Sequence, residues 1–583
     1  MWLRALELTA PLLQNSQLTF PSLIEGLADK FGDAPALISD SERLTYHSLA
    51  ARSSQYTAWA LRQGLGKGDV VCLIMSNRPE YVAIWLGITR VGAIVSLINT
   101  HLDGTALAHA LELAAARHII MGAEYADRID NIPPLKIPIS YWIYGPTDLP
   151  LRRIDEDLLQ YGEVDLSRLE YQRPRNADIA LHIYTSGTTG LPKAAKISHF
   201  RLLQWSYWFA GMMDVRPSDR MYNCLPMYHS IGGIVAIGAI LVSGGSVLVR
   251  QRFSASRFWD DVFEWQCTLF QYIGELCRYL VSGPPHPLET SHQLRLCCGN
   301  GLQIEVWHAF RQRFHIPQIL EFYAATEGNF SLFNCEEVPG AIGRIPSFLS
   351  HRASIALIKC NIDTNEPIRG TDSYCMRCSV NEVGEAIGQI PSNDESLIGR
   401  FEGYTNTEDS EKKIIRDVFS IGDAWVRTGD LMRKDEHGYF YFVDRIGDTF
   451  RWKGENLSTI EIVTVIAACT GVIDAVVYGV AIDGVEGRAG MAALVTSADF
   501  NLNDFRQQLN ERLPNYARPI FLRFCRSIEI TETFKLKKQL LIRDAYHVPL
   551  IDDPIFIDDP ESETYIPFGA ELYERFRKGQ GWL

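Results

Sequence analysis

The sequence predicts an α/β fold in two parts: a large N-terminal α/β region of several subdomains and a small C-terminal α+β domain. Segments with helical spacing alternate with short apolar runs, which is typical of strands joined by helices. The run at 70–75, VVCLIM, is continuously apolar, as expected of a strand buried on both faces. The chain has 583 residues, which is too many for one hydrophobic core.

The predicted elements of the N-terminal region follow the order of βα units. Apolar spacing predicts helices and strands in alternation, with helices at 20–31, 44–61 and 78–91 and strands at 36–38, 70–75 and 94–98. Ile179, Leu181 and Ile183 recur at period two and predict a strand, followed by a polar loop and a helix at about 200–213. Further strands at 294–298 and 318–322 end in unusual loops. Sites of open α/β sheets lie where strands end, so these loops are the candidates for function.

Composition excludes some partners. The net charge of −14 argues against nucleic acid, whose phosphates need Lys and Arg for neutralisation.

The N-terminus lacks the continuous apolar region of a signal peptide. The segment 231–249 has the length of a membrane span, but its five glycines instead predict a buried helix, a turn and a buried strand. Cys375 and Cys378 form one CxxC without a second pair, so the twelve cysteines are interpreted as reduced thiols rather than zinc ligands.

The character of the chain changes at about residue 445. Apolar spacing predicts a helix at 460–468, strands at 472–480 and 491–495, and a helix at 505–513. We therefore predict an N-terminal domain at 1–444 and a C-terminal lid domain at 445–583, joined by a hinge near 444–448. The tail from 546 is rich in Pro and acidic residues and is expected to wrap the surface.

The segment 184–193, YTSGTTGLPK, combines hydroxyl residues, glycines and a lysine between a predicted strand and a helix. Glycines let backbone N–H groups approach a phosphate, hydroxyls donate hydrogen bonds, and the lysine adds positive charge. Its spacing is not that of a Walker A loop. We interpret it as a phosphate-binding loop rather than a linker, with the candidate residues Thr185, Ser186, Gly187, Thr188, Thr189, Gly190 and Lys193.

This segment resembles the phosphate loop of adenylate-forming enzymes, the superfamily of acyl-CoA synthetases and luciferases. The segment 323–329, YAATEGN, resembles the second signature of the same superfamily. The resemblance implies that Tyr323 lies against adenine, Thr326 binds the α-phosphate and Glu327 holds Mg²⁺. The chemistry agrees, because a carboxylate beside phosphates needs a cation between them and Mg²⁺ prefers oxygen ligands.

Further motifs follow in the order of that superfamily. In TGD at 428–430, Asp430 resembles the carboxylate that accepts hydrogen bonds from the ribose hydroxyls, and Arg445 resembles a second nucleotide contact. His229 resembles a residue of the acyl pocket, although a lone histidine is often structural. By resemblance, Gly454 belongs to the tunnel for the pantetheine arm of coenzyme A and Lys535 is the catalytic lysine. Lys535 follows Phe534 where most of the superfamily has Gly, and Lys537 and Lys538 are rivals for the role.

Within the superfamily, three segments resemble the branch of fatty acid transport proteins and very-long-chain acyl-CoA synthetases, namely 298–310, 451–459 and 533–535. The branch implies a ligase that uses ATP, Mg²⁺ and coenzyme A to convert a long fatty acid first to an acyl-adenylate and then to acyl-CoA. It also implies a mobile C-terminal domain that turns between the two steps. A carrier-loading adenylation domain, a ligase for another bulky carboxylate such as a bile acid, and a fatty acid uptake protein with little catalysis are the alternatives.

The expected partners are the fatty acid, ATP and coenzyme A, without nucleic acid. The expected location is cytoplasmic, with peripheral attachment to the inner face of a membrane as the alternative. The sequence carries no prediction of the oligomeric state.

Overall fold

The computed structural model describes residues 1–583 except 163, 187–191, 351–354, 362–363, 393–396, 454, 483–486, 529–537 and 578–583. Contacts divide the chain into two compact units. Unit 1 comprises Met1–Arg344 and Gln389–Ile415, and unit 2 comprises Ile345–Gly388 and Arg416–Leu583. The domain boundary predicted at 444–445 and the hinge predicted near 444–448 stay predictions.

Strands make up two sheets in unit 1. Their bounds are β1 Pro35–Ile38, β2 Arg43–Thr45, β3 Val70–Ile74, β4 Ile94–Leu97, β5 His118–Gly122, β6 Ser140–Tyr144, β7 Arg152–Arg153, β8 Ile179–Ser186, β9 Pro192–Ser198, β10 Arg220–Asn223, β11 Ser246–Val249, β12 Leu269–Ile273, β13 Leu296–Asn300, β14 Ile319–Ala324, β15 Ser331–Asn334 and β16 Gly343–Arg344.

One sheet of unit 1 has the order β7-β6-β5-β3-β4-β8-β9, in which only β9 is antiparallel to its neighbour. The other runs β16-β15-β14-β13-β12-β10-β11-β1-β2 and is parallel from β14 to β1. Every residue of β3 is buried, as the apolar run predicts. The parallel order places the carboxyl ends of β8 and β14, with their polar loops, where sites of such sheets lie.

Helices cover these sheets. Their bounds in unit 1 are α1 Trp2–Thr9, α2 Phe20–Phe31, α3 Tyr46–Arg62, α4 Pro79–Arg90, α5 Gly104–Ala114, α6 Ile154–Leu158, α7 His199–Met213, α8 Ala236–Leu241, α9 Phe258–Glu264, α10 Gly274–Ser282, α11 Ile304–Phe314 and α12 Thr407–Glu411, with short 3₁₀ turns at Ala10–Gln14, Ala123–Asn131 and Leu166–Arg168 and a π-helical turn at Ile231–Val235.

The glycine-rich segment 231–249 is a π-helical turn, α8 and the buried strand β11, as predicted. In the described part of the chain, none of the helices combines the length and the apolar character needed to span a bilayer.

Unit 2 contains a five-stranded sheet and further strands. Its strands are β17 Ile355–Ile358, β18 Cys360–Asn361, β19 Glu366–Pro367, β20 Gly384–Gln389, β21 Ile414–Arg416, β22 Ala424–Lys434, β23 Tyr439–Arg445, β24 Phe450–Trp452, β25 Glu455–Leu457, β26 Val472–Ala481, β27 Arg488–Thr496, β28 Phe521–Phe524, β29 Ile555–Asp559 and β30 Thr564–Pro567. Its helices are α13 Thr459–Ala467, α14 Leu502–Arg512, α15 Lys538–Asp544 and α16 Ala570–Arg577, with 3₁₀ turns at Ser347–Leu349, Asn515–Ala517 and Val548–Leu550.

The tail differs from the prediction. Residues after 546 do not merely wrap the surface, because β29 and β30 complete a five-stranded sheet in the order β26-β27-β28-β29-β30. Ile557, Phe568 and Tyr573 are buried in its hydrophobic core. Although the segment is mostly polar, burying these few apolar side chains stabilises its packing onto the sheet.

Candidate active site

The phosphate-loop motif begins in β8 and ends in β9. Thr185 and Ser186 end β8, and β9 returns antiparallel so that Thr185 is paired with Lys193. The helix predicted at about 200–213 is α7, which begins at His199, whereas the strand β9 between the loop and this helix was not predicted. The sequence did not predict β9, because residues 192–198 (PKAAKIS) do not alternate between polar and apolar side chains. The connecting residues Gly187, Thr188, Thr189 and Gly190 lie outside the described residues.

Lys193 is held by an acidic residue. Its Nζ lies 2.8 Å from Asp409 Oδ1 and 5.7 Å from the centre of the Tyr404 ring. The ammonium group is largely buried, at 17% exposure. Its position is therefore fixed before any phosphate binds, which lowers the cost of ordering the side chain.

Thr326 and Glu327 lie in the bend that follows β14, one residue after the strand ends. Thr326 Oγ1 is 3.1 Å from Ser230 Oγ, and the Tyr404 hydroxyl donates to Glu327 Oε1 at 2.8 Å. Lys413 Nζ lies 3.9 Å from the same carboxylate oxygen. Thr326, whose hydroxyl pairs with that of Ser230, thus lies next to Glu327 in the chain, and the Glu327 carboxylate already has a hydrogen-bond donor and a nearby ammonium group.

Tyr404 is a site residue that the sequence reasoning missed. The strand-like segment around it pairs with β9, where Tyr404 bridges Ala195 and the Thr405 amide donates to the Ala194 carbonyl at 2.9 Å. Burial, and then the charge of Glu327, raises the pKa of the Tyr404 phenol. The hydroxyl therefore keeps its proton and acts as a donor. No periodicity marks residues 403–413 in the sequence.

Arg201 supports the loop of Thr326 from α7. Its guanidinium donates to the Thr326 carbonyl at 3.2 Å and to the Arg400 carbonyl at 2.8 Å, and it lies 3.7 Å from Glu402. Glu402 also accepts from the Ser198 amide and hydroxyl. This buried network fixes the backbone of the second signature, and its members lie too far apart in the sequence to form a recognisable motif.

Tyr323 and His229 are both half-buried, and each lies beside another aromatic ring. The Tyr323 ring lies 5.8 Å from Phe330, and the His229 ring lies 4.5 Å from Tyr228. The turn after His229 requires glycine, because a Cβ at Gly233 would lie 1.9 Å from the Met227 carbonyl oxygen. The contacts to adenine and to an acyl group remain predictions.

Glu327 is compatible with a magnesium ion. In the described residues, no group of three or more His, Cys, Asp or Glu side chains could hold a metal by itself. Mg²⁺ usually binds one or two carboxylates together with phosphate oxygens and water. One carboxylate beside a phosphate loop therefore suits Mg²⁺ that arrives with a nucleotide, rather than a resident metal.

A cavity of about 930 Å³ lies in unit 1 beside the segment that leads to His229. Asn77 is common to both, since it lines the cavity and its side chain binds the Leu225 carbonyl and the Met227 amide. The cavity is also lined by Arg78, Arg250, Arg252 and Arg257. Arg252 has no ion-pair partner among the residues that the structure describes, so its charge is available to an anion.

In unit 2, Asp430 and Arg445 face each other across β22 and β23. They are register partners, and Arg445 Nε lies 3.4 Å from Asp430 Oδ1. The Gly429 amide, inside β22 but with a φ of 78°, donates to Glu385 at 3.1 Å. Glu385 is fully buried and binds Arg427. This second missed residue therefore fixes the part of β22 that presents Asp430.

The rival lysine Lys538 has a partner in unit 2. Its Nζ donates to Asp448 at 3.2 Å and to Thr459 Oγ1 at 2.9 Å. Thr459 in turn donates to the buried carboxylate of Asp444. Burial raises the pKa of Asp444, and the charge of Lys538 offsets only part of this rise. These contacts indicate that Lys538 has a structural role, because it holds the first residue of α13 in place. Lys535 and Gly454 lie outside the described residues, and their roles stay predictions.

Comparison with known proteins decides the family. Residues 24–354 match the family described as AMP-binding enzyme, and residues 461–535 match its C-terminal domain. The chain belongs to the AMP-binding enzymes. This AMP-binding enzyme is 38% identical over 569 residues to long-chain fatty acid transport protein 1 of Mus musculus, covering 96% of the chain and 88% of the relative.

Two further similarities concern a ligase and the fold. The AMP-binding enzyme is 35% identical over 577 residues to the medium/long-chain-fatty-acid–CoA ligase FadD6 of Mycobacterium tuberculosis, covering 97% of the chain and 92% of the relative. Its fold matches ATP-bound MatB from Rhodopseudomonas palustris with a TM-score of 0.75 at 22% identity, covering 90% of the chain and 99% of that structure. The mixed α/β fold of adenylate-forming enzymes predicted from the motifs is confirmed.

Proposed function

We propose that this protein is an ATP-dependent fatty acid–CoA ligase for long or very long chains. The observation that carries the proposal is the grouping of Lys193, Thr326, Glu327 and Tyr404 after the strands β8 and β14. Phosphate transfer needs cations, hydroxyl donors and a carboxylate for Mg²⁺ at one place. The similarity to a fatty-acid–CoA ligase supports the choice of acid.

The proposed reaction has two steps. A fatty acid carboxylate oxygen attacks the α-phosphorus of ATP, and the bond to pyrophosphate breaks. The thiolate of coenzyme A then attacks the acyl carbonyl, and AMP leaves with the bonding electron pair. Two anions meet in the first step, so positive charge near the α-phosphate lowers its barrier.

Each residue has a role in this proposal. Lys193 and the phosphate loop bind the phosphates, Thr326 donates to the α-phosphate, and Asp430 accepts from the ribose hydroxyls. Glu327 would hold Mg²⁺, which neutralises phosphate charge when it is bound. Tyr404 orients Glu327 through its hydrogen bond, and Lys535 supplies charge in the first step only.

We also propose that the arginine-lined cavity binds phosphate groups of coenzyme A. Coenzyme A carries several phosphates at the end far from its thiol, so it needs cations away from the reacting carbonyl. Arg252 offers such a charge, and Asn77 connects the cavity wall to the segment of His229. The rest of coenzyme A would then pass that segment.

The location that we propose is cytoplasmic, with peripheral membrane contact where the oily substrate is drawn from a bilayer. A fatty acid uptake protein with little catalysis is the second candidate, favoured by the similarity to fatty acid transport protein 1. The two candidates differ in a direct assay.

The test is product analysis with purified protein, ATP, Mg²⁺, coenzyme A and palmitate. The expected result is equal formation of AMP, pyrophosphate and palmitoyl-CoA, with ATP–pyrophosphate exchange persisting when coenzyme A is omitted. Cholate in place of palmitate tests the bulky carboxylates. Absence of exchange with every acid would overturn the ligase proposal in favour of the uptake protein.

A further inference from the structure

Residues 403–413 of unit 1 form a compact segment that carries a lysine to the candidate active site. The Tyr404 amide donates to the Ser410 hydroxyl at 2.8 Å, and the Lys413 amide donates to the Ser410 carbonyl at 3.1 Å. The short helix α12 lies between Tyr404 and Lys413. These bonds fix the backbone of Lys413 relative to Tyr404, and we call this stretch segment 403–413.

Two ammonium groups lie close to Tyr404. Lys193 Nζ is 5.7 Å from the centre of the Tyr404 ring. Lys413 Nζ is 3.9 Å from the Glu327 oxygen that accepts the hydrogen bond of the Tyr404 hydroxyl. The Lys413 side chain is 26% exposed, so most of it is covered by the protein rather than by solvent. One cation of the phosphate loop and one of segment 403–413 therefore meet at the same tyrosine.

Lys413 sets the charge of this group. Lys193 is balanced by Asp409, whose carboxylate lies 2.8 Å from its Nζ. Without Lys413, the carboxylate of Glu327 would leave one uncompensated negative charge among these side chains. The phosphates of a nucleotide add further negative charge, and like charges at short distance repel each other strongly in a partly buried site. Lys413 removes this repulsion.

The bend after β14 has different neighbours on its two site residues. The Thr326 hydroxyl lies 3.1 Å from that of Ser230, which directly follows His229, the residue predicted for the acyl pocket. Glu327, the next residue along the chain, is instead approached by Lys413. The acyl side of the site is therefore at Thr326, and the side of segment 403–413 is at Glu327.

Adenylation needs two such sides. The attacking carboxylate and the leaving pyrophosphate lie roughly in line on opposite sides of the α-phosphorus. A carboxylate oxygen forms a bond to the α-phosphorus, the bond from this phosphorus to the bridging oxygen breaks, and its electron pair stays on the pyrophosphate. An acyl group on the side of His229 thus directs the pyrophosphate towards segment 403–413.

We propose that Lys413 binds the pyrophosphate part of ATP and stabilises it as it leaves. The inference rests on the proposed fatty acid–CoA ligase activity and adds a phosphate-binding residue to its first step. Lys193 and Lys413 then contact one phosphate chain from two elements, β9 and segment 403–413. A positioned cation lowers a barrier where negative charge develops. The second step contains no pyrophosphate, so Lys413 has no part in it.

The experiment measures ATP–pyrophosphate exchange with palmitate at saturating Mg²⁺ and varied pyrophosphate, in the wild type and in Lys413→Gln. Loss of one charged contact should raise the KM for pyrophosphate about 10- to 100-fold. Lys413→Arg keeps the charge and should restore most of the affinity. Conversion of synthetic palmitoyl-adenylate and coenzyme A to the thioester should be unchanged in both variants.

Lys412→Gln is the matched control, because it removes an equal charge from the adjacent, exposed residue. Its KM for pyrophosphate should equal that of the wild type. If Lys413 only balanced the charge of Glu327, Lys413→Gln would need less Mg²⁺ and would keep the wild-type KM for pyrophosphate. That result, or an equal rise of the KM in Lys412→Gln, overturns the inference while leaving the ligase activity in place.

Binding without turnover separates this inference from the proposed function. In calorimetric titration with pyrophosphate and Mg²⁺, Lys413→Gln should bind at least about tenfold more weakly than the wild type. Equal affinity in the two proteins overturns the inference, whereas absence of exchange by the wild type with every fatty acid overturns the proposed function. Thermal unfolding checks that each variant is folded, and Lys413→Met, which keeps the apolar stem, replaces Lys413→Gln if that variant is unfolded.

Discussion

The hydroxyl of Tyr404 donates a hydrogen bond of 2.8 Å to the carboxylate of Glu327, across 77 residues of sequence. Burial and the charge of Glu327 both keep the phenol protonated by raising its pKa. The bond therefore fixes the orientation of the carboxylate that we propose as the magnesium ligand.

Tyr404→Phe removes this donor and leaves the ring in place. A hydrogen bond to a charged group contributes about 1.5–3 kcal/mol, so adenylation should fall roughly 10- to 100-fold. The loss should be partly recovered at high Mg²⁺ concentration, because a less ordered carboxylate binds the ion more weakly. ATP–pyrophosphate exchange as a function of Mg²⁺ measures this. Tyr516→Phe, at a tyrosine with 37% exposure in unit 2, is the control. Equal rates of ATP–pyrophosphate exchange in Tyr404→Phe and Tyr516→Phe would show that Tyr404 has no role in adenylation.

Asp430→Ala should leave the protein folded and weaken ATP binding. The lost hydrogen bonds to the ribose hydroxyls correspond to about 1.5–3 kcal/mol. Arg445 is half-exposed, so water can replace its lost partner without unfolding the hairpin. Calorimetric titration with ATP measures the affinity, and Glu436→Ala, at a residue with 77% exposure, is the control. Unchanged affinity in a folded variant would show that Asp430 is not the ribose ligand.

Lys535→Ala should block adenylation far more than thioester formation. Removal of one positioned donor costs about 3–4 kcal/mol, or a hundred- to a thousandfold in rate. Synthetic acyl-adenylate and coenzyme A should still give thioester at a near-normal rate, because the lysine acts only in the first step.

Lys538→Ala and Lys537→Ala are the controls for this charge. Lys538 binds Asp448 and Thr459, so its variant should lower the melting temperature rather than the ratio of the two half-reactions. A larger adenylation loss from either control than from Lys535→Ala would contradict the assignment.

Arg252→Gln should raise the KM for coenzyme A about tenfold, the size expected for the loss of one charged contact of about 1.5 kcal/mol. ATP–pyrophosphate exchange without coenzyme A should remain, since it does not use the cavity. Arg216→Gln removes an equal charge at a residue with 64% exposure and serves as the control. If both variants keep the wild-type KM, the cavity does not bind coenzyme A.

Glu321 should make stability depend on pH. Burial raises the pKa of this carboxyl from 4.5 to about 8, so the folded protein retains a proton that the unfolded chain releases. Stability from this group is therefore present in full below about pH 4.5 and is lost as the pH rises towards 8. The change is on the order of a few kcal/mol. In Glu321→Gln, the free energy of unfolding measured by chemical denaturation should change less between pH 5 and pH 8 than in the wild type. The same pH dependence in both proteins would contradict this.

Much of the fold follows from the sequence because burial imposes periodicity. The helix predicted at 20–31 is α2, and the run at 70–75 contains β3. The helix predicted at 44–61 is α3, but it begins two residues later, at Tyr46. Leu44 and Thr45 belong to β2, and the Thr45 side chain caps α3 by accepting from the Ser48 amide. A cap of this kind separates strand from helix without changing the apolar pattern.

The site was only partly predictable. The motifs indicate Thr326, Glu327 and Asp430 because each lies in a short contiguous signature. Tyr404 and Glu385 act on those residues from distant segments, through contacts that only the folded chain creates. Their own neighbours in sequence carry no pattern, since a single polar side chain in a loop is usually solvated.

The discontinuity of unit 1 has a consequence for synthesis. Residues 1–344 leave the ribosome first, whereas Tyr404, Asp409 and Lys413 belong to the segment Gln389–Ile415 that returns to this unit later. Until then β9 is an open sheet edge, because its outer partner is the chain at 403–405. Open edges recruit other strands. A nascent or truncated chain that ends before residue 403 should therefore depend on chaperones to stay unaggregated, and the N-terminal unit cannot be expressed intact as one uninterrupted fragment of 344 residues.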